Sequence, residues 1–189
     1  MSNLPPVADP DVLLDAEGIQ GAVERLAAQI AARHPDGWPI FIGIERRGVP
    51  LAHRVATILA ARHPDRDAPP VGSLDISLYR DDLAALSTIP QLKGSKIPFD
   101  VDGGQVVLFD DVLYTGRTIR AALEELSDFG RPDRVELAVL LDRGCRELPI
   151  QADFVGLAHP TDRNTYVRVR LRETDEVDVA TIGHKEVIR

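Results

Sequence analysis

The sequence predicts an α/β domain built on an open, mainly parallel sheet with helices on both faces. Three observations carry this. Short apolar runs alternate along the chain with stretches whose apolar residues fall at helical spacing. The runs at 39–44, 105–110 and 134–141 are almost wholly apolar, as buried strands are. Each is followed at once by a loop dense in charged and small residues: ERRG (45–48), DDVLYTGRT (110–118) and DRGCRELP (142–149). In a parallel sheet such loops gather at one edge, where ligands bind.

The elements follow in order. Residues 1–12, MSNLPPVADPDV, hold three prolines and little pattern, and are expected to be a flexible N-terminal tail; 13–189 are expected to form a single domain. Ile19, Val23, Ala27 and Ile30 set a helix from Asp15 to Arg33, with Asp15 as its N-cap and Leu14 and Ile19 as a staple. HPDG (34–37) stops it. PIFIGI (39–44) is a strand, and helical spacing resumes over 49–62 through Leu51, Val55, Ile58 and Leu59, with Pro50 in the first turn. SLDISLY (73–79) alternates like a strand. A long irregular stretch from Arg80 to Gly104 has the length of a lid or binding loop. QVVLFD (105–110) is a strand, followed by a helix with Ile119, Leu123 and Leu126 on one face and Gly130 and Pro132 at its end. RVELAVLL (134–141), ADFVG and TYVRVRL supply further strands. In the last, Arg168, Arg170 and Arg172 are expected to share one strand face.

The chain has 189 residues, 44% of them hydrophobic, enough for one core. Its 22 Lys and Arg against 30 Asp and Glu give a formal charge of −8, which argues against a nucleic-acid coat and leaves DNA out as a partner. The single cysteine, Cys145, gives neither a disulfide framework nor a cysteine-rich metal site. No apolar run is long enough to span a membrane, and a cytoplasmic protein is expected.

VVLFDDVLYTGRT (106–118) carries the chemistry. A turn at a helix N-terminus presents unpaired N–H groups and the positive end of the helix dipole, a ready phosphate site. Gly116 is expected to let the backbone approach the phosphate, and Thr115 and Thr118 add hydroxyls. Asp110 and Asp111 would repel that phosphate if they met it. They suit the vicinal hydroxyls of a sugar, and can support a ligand-borne Mg²⁺ through water. The ligand these residues imply is a ribose 5-phosphate.

This stretch resembles the phosphoribosyl-pyrophosphate (PRPP) motif of type I phosphoribosyltransferases at all thirteen positions. Together with SLDISLYRDDL and AVLLDRGCRELPIQADFVG, it is similar to the PyrR family, bifunctional pyrimidine-operon regulators and uracil phosphoribosyltransferases. The resemblance runs from Ile40 to Gly156 and implies the type I fold, with a small hood and a flexible lid loop beside the sheet. It implies the Mg²⁺-dependent joining of uracil to PRPP, giving UMP and pyrophosphate, in a homodimer or larger homo-oligomer. Asp110 and Asp111 would hold the ribose hydroxyls and, through water, the metal. The segment Val112, Leu113, Tyr114, Thr115, Gly116, Arg117 and Thr118 would hold the 5-phosphate. Arg46, Arg47 and Gly48 match the pyrophosphate loop, where an unusual peptide geometry turns an N–H to the ligand. Arg80, in the lid, would meet the pyrophosphate. Arg143 would face base and phosphates, and the segment from Phe154 to Pro160, with His159, would read uracil.

The alternative is a uridine-nucleotide-sensing RNA-binding regulator, with weak or no catalysis. Here the sequence departs from the family. Cys145 replaces the histidine of the Arg-Gly-His-Arg loop, Leu157 stands where lysine is usual, and His159 where an aliphatic residue is. In the first helix, Asp15, Glu17 and Glu24 outnumber Arg25 and Arg33, which argues against an RNA face there.

Overall fold

The structure, a computed structural model, describes residues 11–77 and 94–184. Five strands form a fully parallel sheet in the order β3-β2-β4-β5-β6. They are β2 (Ile40–Ile44), β3 (Val71–Leu74), β4 (Gln105–Leu113), β5 (Arg134–Asp142) and β6 (Phe154–Ala158). Helices α1 (Ala16–Arg33) and α2 (Gly48–Arg62) connect into this sheet, and α3 (Arg117–Ser127) crosses from β4 to β5. A second, antiparallel sheet, β1-β8-β7, is the hood: β1 (Asp11–Leu14), β7 (Thr165–Arg170) and β8 (Val179–His184), with the single turn α4 (Arg172–Asp175) between the last two.

Alternation along β4 feeds two cores. Val107 and Phe109 join the cluster under α1 and α2, whereas Val106 and Leu108 join the one that packs with Ile119, Ala122 and Leu126 of α3. Phe41 and Phe109, both fully buried, sit with ring centroids 4.8 Å apart in the first cluster. Val169, Leu171 and Ala180 extend that cluster into the hood. At the start of α1, Asp15 accepts the Gly18 N–H at 2.8 Å, as its N-cap position predicts.

The structure corrects five local expectations. Asp11 and Val12 are not tail: they open β1, opposite Ile182 and Thr181 of β8. β3 stops at Leu74 rather than running on to residue 79, because the Asp75 side chain takes the Ser77 N–H and closes a turn. β4 continues three residues past Asp110, since its partner β5 runs to Asp142, which sits opposite Leu113. The two aspartates therefore lie within the strand. Leu123 is 40% exposed; Ala121 and Ala122 are buried instead, so the buried stripe of α3 runs to one side of it. Arg172 starts α4, where its guanidinium pairs with Asp178, and only Arg168 and Arg170 remain on the exposed face of β7. Tyr79 to Asp82, including Arg80 and the start of the expected lid, lie outside the described residues.

Candidate active site

The C-terminal ends of β2, β4 and β5 bring the three charged loops together. Asp110 is buried at 7% exposure, and its Oδ1 accepts the Asp111 N–H at 2.9 Å. Asp111 repeats the pattern one residue on, accepting the Val112 N–H at 2.9 Å. Each carboxylate is thus oriented by the next amide of its own strand. Burial pushes the Asp111 carboxyl above its ordinary range, and the Arg47 guanidinium opposes that shift.

Arg47 is close because α2 starts almost on top of the sheet. A Cβ on Gly43 would come within 2.3 Å of the Val49 Cα, and one on Gly48 within 2.1 Å of the Phe109 carbonyl oxygen. These glycines let the 45–48 turn lie against β4, and Arg47 Nη1 reaches to 4.0 Å from Asp111 Oδ2. Arg46 is exposed at the same turn, and the Glu45–Arg46 peptide bond is cis, an unusual geometry of the kind the resemblance implies.

The turn after β4 is built from the other side by the 142–150 loop. Glu147 and Leu148 donate their N–H groups to the Thr115 carbonyl at 3.0 and 3.1 Å. Arg146 Nη1 donates to the Tyr114 carbonyl at 3.0 Å, its Nε donates to Ile150 at 3.0 Å, and its Nη2 pairs with Asp142 at 2.5 Å. Gly116, at φ 93°, caps α3 without a side chain of its own. Its missing Cβ would fall 3.3 Å from Ile150 Cβ and 3.4 Å from Leu148 Cβ. The glycine is therefore required by left-handed backbone and by close packing on that loop, not by ligand approach alone. Thr115 and Thr118 are half-buried around the open first turn of α3, and Arg117 pairs with Glu147 at 3.1 Å. Leu113 is buried and Val112 packs against the core under α1 and α2, so these two offer only main chain.

Arg143 is not arranged as expected. It is 4% exposed, and it donates to Thr161 Oγ1 at 2.9 Å and to the carbonyls of Asp162 and Thr165 at 2.8 and 2.7 Å. Its guanidinium carbon stacks 4.1 Å from the Tyr114 ring centroid. The residue ties the loop after β5 to the 161–165 segment; three of its hydrogen bonds are spent there rather than on a phosphate. His159 is half-buried, held by its N–H on the Asp142 carbonyl at 2.8 Å. The Cys145 thiol donates to the Thr161 carbonyl at 3.1 Å, a half-buried structural contact. Among the described residues no group of three or more His, Cys, Asp or Glu is gathered to chelate a metal.

Residues 11–172 match the family model of the phosphoribosyl transferase domain. A protein of Roseiflexus sp. (strain RS-1) named "Bifunctional protein PyrR" is 54% identical over 164 residues, covering 86% of this chain and 88% of the relative. A protein of the same name from Thermus aquaticus is 49% identical over 176 residues, covering 92% and 96%. The chain belongs to the PyrR family of phosphoribosyl transferases. The hypoxanthine phosphoribosyltransferase of Staphylococcus aureus shares its fold, with a TM-score of 0.65 at 22% identity over 94% of this chain and 93% of that one. That of Trypanosoma cruzi gives 0.68 at 18% identity, over 93% and 97%. For this PyrR-family chain, the fold expected from the sequence is the fold observed.

Two residues at the site escaped sequence reasoning. Arg146 lies in the quoted RGCRELP loop, but nothing local separates its role from that of Arg143. Asp175, which binds Arg47 through Nε and Nη2 at 2.9 Å each, lies 128 residues away and gives no local cue.

Proposed function

We propose that this PyrR-family protein joins uracil to PRPP, forming UMP and pyrophosphate. The observation that supports it most is the pairing of two main-chain-oriented carboxylates with the open N-terminal turn of α3 on one strand–turn–helix unit. Ribose hydroxyls would be accepted by Asp110 and Asp111. The 5-phosphate would be held by N–H groups of the Leu113–Thr118 turn and by the Thr115 and Thr118 hydroxyls. Arg46, Arg47 and the turn closed by Gly48 would stabilise the leaving pyrophosphate. Uracil would lie against the main chain of Phe154 to Pro160 near His159. Its N1 would bond to the anomeric carbon as the carbon–oxygen bond to pyrophosphate breaks, the bonding pair leaving on pyrophosphate and the N1 proton passing to solvent water.

Positioning and charge stabilisation supply the acceleration, with little covalent work for the protein. The donor set fits Mg²⁺: two hard carboxylates beside a phosphate site, able to hold its water shell rather than chelate it. When bound with PRPP, the ion would neutralise the pyrophosphate. Arg80 belongs to this reading as a lid residue that meets the pyrophosphate. So does a homodimer or larger assembly, checked by sedimentation. No helix among the described residues is long and apolar enough to cross a membrane.

The deciding assay incubates radiolabelled uracil or hypoxanthine with PRPP and Mg²⁺. Product from uracil alone supports the reading; product from hypoxanthine alone overturns its base specificity, and none from either overturns the activity.

A second reading is a uridine-nucleotide-sensing RNA regulator. The relatives' name, bifunctional, and the exposed Arg168 and Arg170 on β7 favour it. Against it, Arg25 of α1 is committed to the Gly156 carbonyl at 2.8 Å and Arg33 to Glu136 at 3.4 Å. Titrating a pyrimidine-operon leader RNA with and without UMP tests it: weak binding that ignores UMP would count against regulation.

A further inference from the structure

Arg47 stands between two carboxylates. Its Nε and Nη2 donate to Asp175 Oδ2 and Oδ1 at 2.9 Å each, a bidentate fork, while Nη1 is held 4.0 Å from Asp111 Oδ2. Asp175 is itself fixed, since its Oδ2 also accepts the Leu171 N–H at 3.2 Å and the Thr174 hydroxyl at 2.7 Å. The turn that carries it is anchored to the same helix α2 a second time. Arg54 donates to Glu173 Oε2 and Asp178 Oδ1 at 2.7 Å each, and Arg172 pairs with Asp178 at 3.1 Å.

An arginine with no partner other than Asp111 would close the remaining gap, because attraction between unit charges rises steeply at contact in a half-buried site. It would then occupy the carboxylate that a sugar diol needs. We propose that Asp175 is a positioning residue for the transfer reaction: its fork holds Arg47 off Asp111, leaving that carboxylate to the ribose hydroxyls and Arg47 Nη1 to the pyrophosphate. The proposal rests on the site reading given above. The fork also accounts for the Asp175 carboxyl lying well below the usual carboxylate range and for the raised Arg47 guanidinium.

The test is Asp175→Asn, which keeps an acceptor for the Leu171 N–H, made alone and in the Arg47→Ala background. Expected is a loss of about tenfold in kcat/KM for PRPP, carried by both KM and kcat because Arg47 serves the leaving pyrophosphate, with a lowered melting temperature because the fork is weakened. In the Arg47→Ala background the same substitution should change nothing further, because the residue it acts through is gone. An equal loss in both backgrounds would show a merely structural role and overturn the proposal.

A second readout needs no substrate: the Arg47 Nε–H resonance of the unliganded protein. It should move on Asp175→Asn, and move again when Asp111→Asn is added. A resonance indifferent to Asp175→Asn overturns the proposal. A wild type that fails to turn over PRPP sinks the functional reading instead, and the resonance still decides this one.

Discussion

Arg146 Nη1 lies 3.0 Å from the carbonyl oxygen of Tyr114, so the loop after β5 holds the turn after β4 by its main chain. The same guanidinium also reaches the Gly144 carbonyl at 3.1 Å and the Asp142 carboxylate. One planar fork thus satisfies acceptors from two loops at once, which a lysine ammonium cannot do in the same geometry. Arg146→Lys should therefore lower stability by about 2 kcal/mol, seen as an earlier urea midpoint at unchanged slope, and should raise the KM for PRPP. A variant with wild-type stability and KM would mean the turn is held by Glu147 and Leu148 alone.

Gly116 is under two demands. Its φ of 93° disfavours any side chain, and an added Cβ would meet Ile150 Cβ at 3.3 Å. Gly116→Ala should cost about 1–2 kcal/mol from backbone conformation, and more if Ile150 cannot yield. Adding Ile150→Gly, which removes the Cβ that the new methyl would meet, should recover the contact part and leave the backbone part. Melting curves of the single and double variants separate the two. Full recovery by Ile150→Gly would show that the left-handed conformation carries no cost.

Replacing both Asp110 and Asp111 with Asn keeps the shape of the strand end and removes its charge. Arg47 retains Asp175, so the fold should survive, with a melting temperature close to wild type. Turnover should fall at least about a hundredfold, since neutral amides are poorer acceptors for the ribose hydroxyls and for a hydrated cation. A rate equal to wild type would remove the ribose role from both residues.

The parts of this site that the sequence shows are those assembled from neighbours. Asp110, Asp111, Thr115, Gly116 and Thr118 fall within nine consecutive positions, so a strand–turn–helix reading places them together directly. The Asp15 cap is legible for the same reason. The C-terminal end of β4 is not, because its last three residues stay in the sheet only while β5 runs beside them. Spacing alone puts Leu123 on the buried face, because an apolar residue at the margin of a helical stripe looks the same in sequence whether buried or not. Arg143 and Arg146 are three residues apart in one loop, and only the folded chain shows that the first grips the 161–165 segment and the second the turn after β4.

The attachment of the hood to α2 should be the part of the molecule most sensitive to acid. It runs through three carboxylates, each with its carboxyl below the usual range. Asp175 is lowered by its hydrogen bonds to Arg47, and Glu173 by those to Arg54. Burial opposes the shift at Asp178, but its bonds to Arg54 and Arg172 outweigh it. A carboxylate depressed in the folded state contributes stability that is complete above its unfolded value, about pH 4, and is lost as pH falls through the folded value. Between about pH 7 and pH 5 the hood should therefore be indifferent to pH. Below about pH 4, amide protection in β7 and β8 should drop while the parallel β4–β5 ladder, whose strands pair through their main chains over most of their length, stays protected longer. Hydrogen exchange followed across that range measures this directly. Arg54→Met should reduce β7–β8 protection at neutral pH and weaken its dependence on acid; an equal loss in both sheets, in wild type and variant alike, would show that these ion pairs do not fasten the hood.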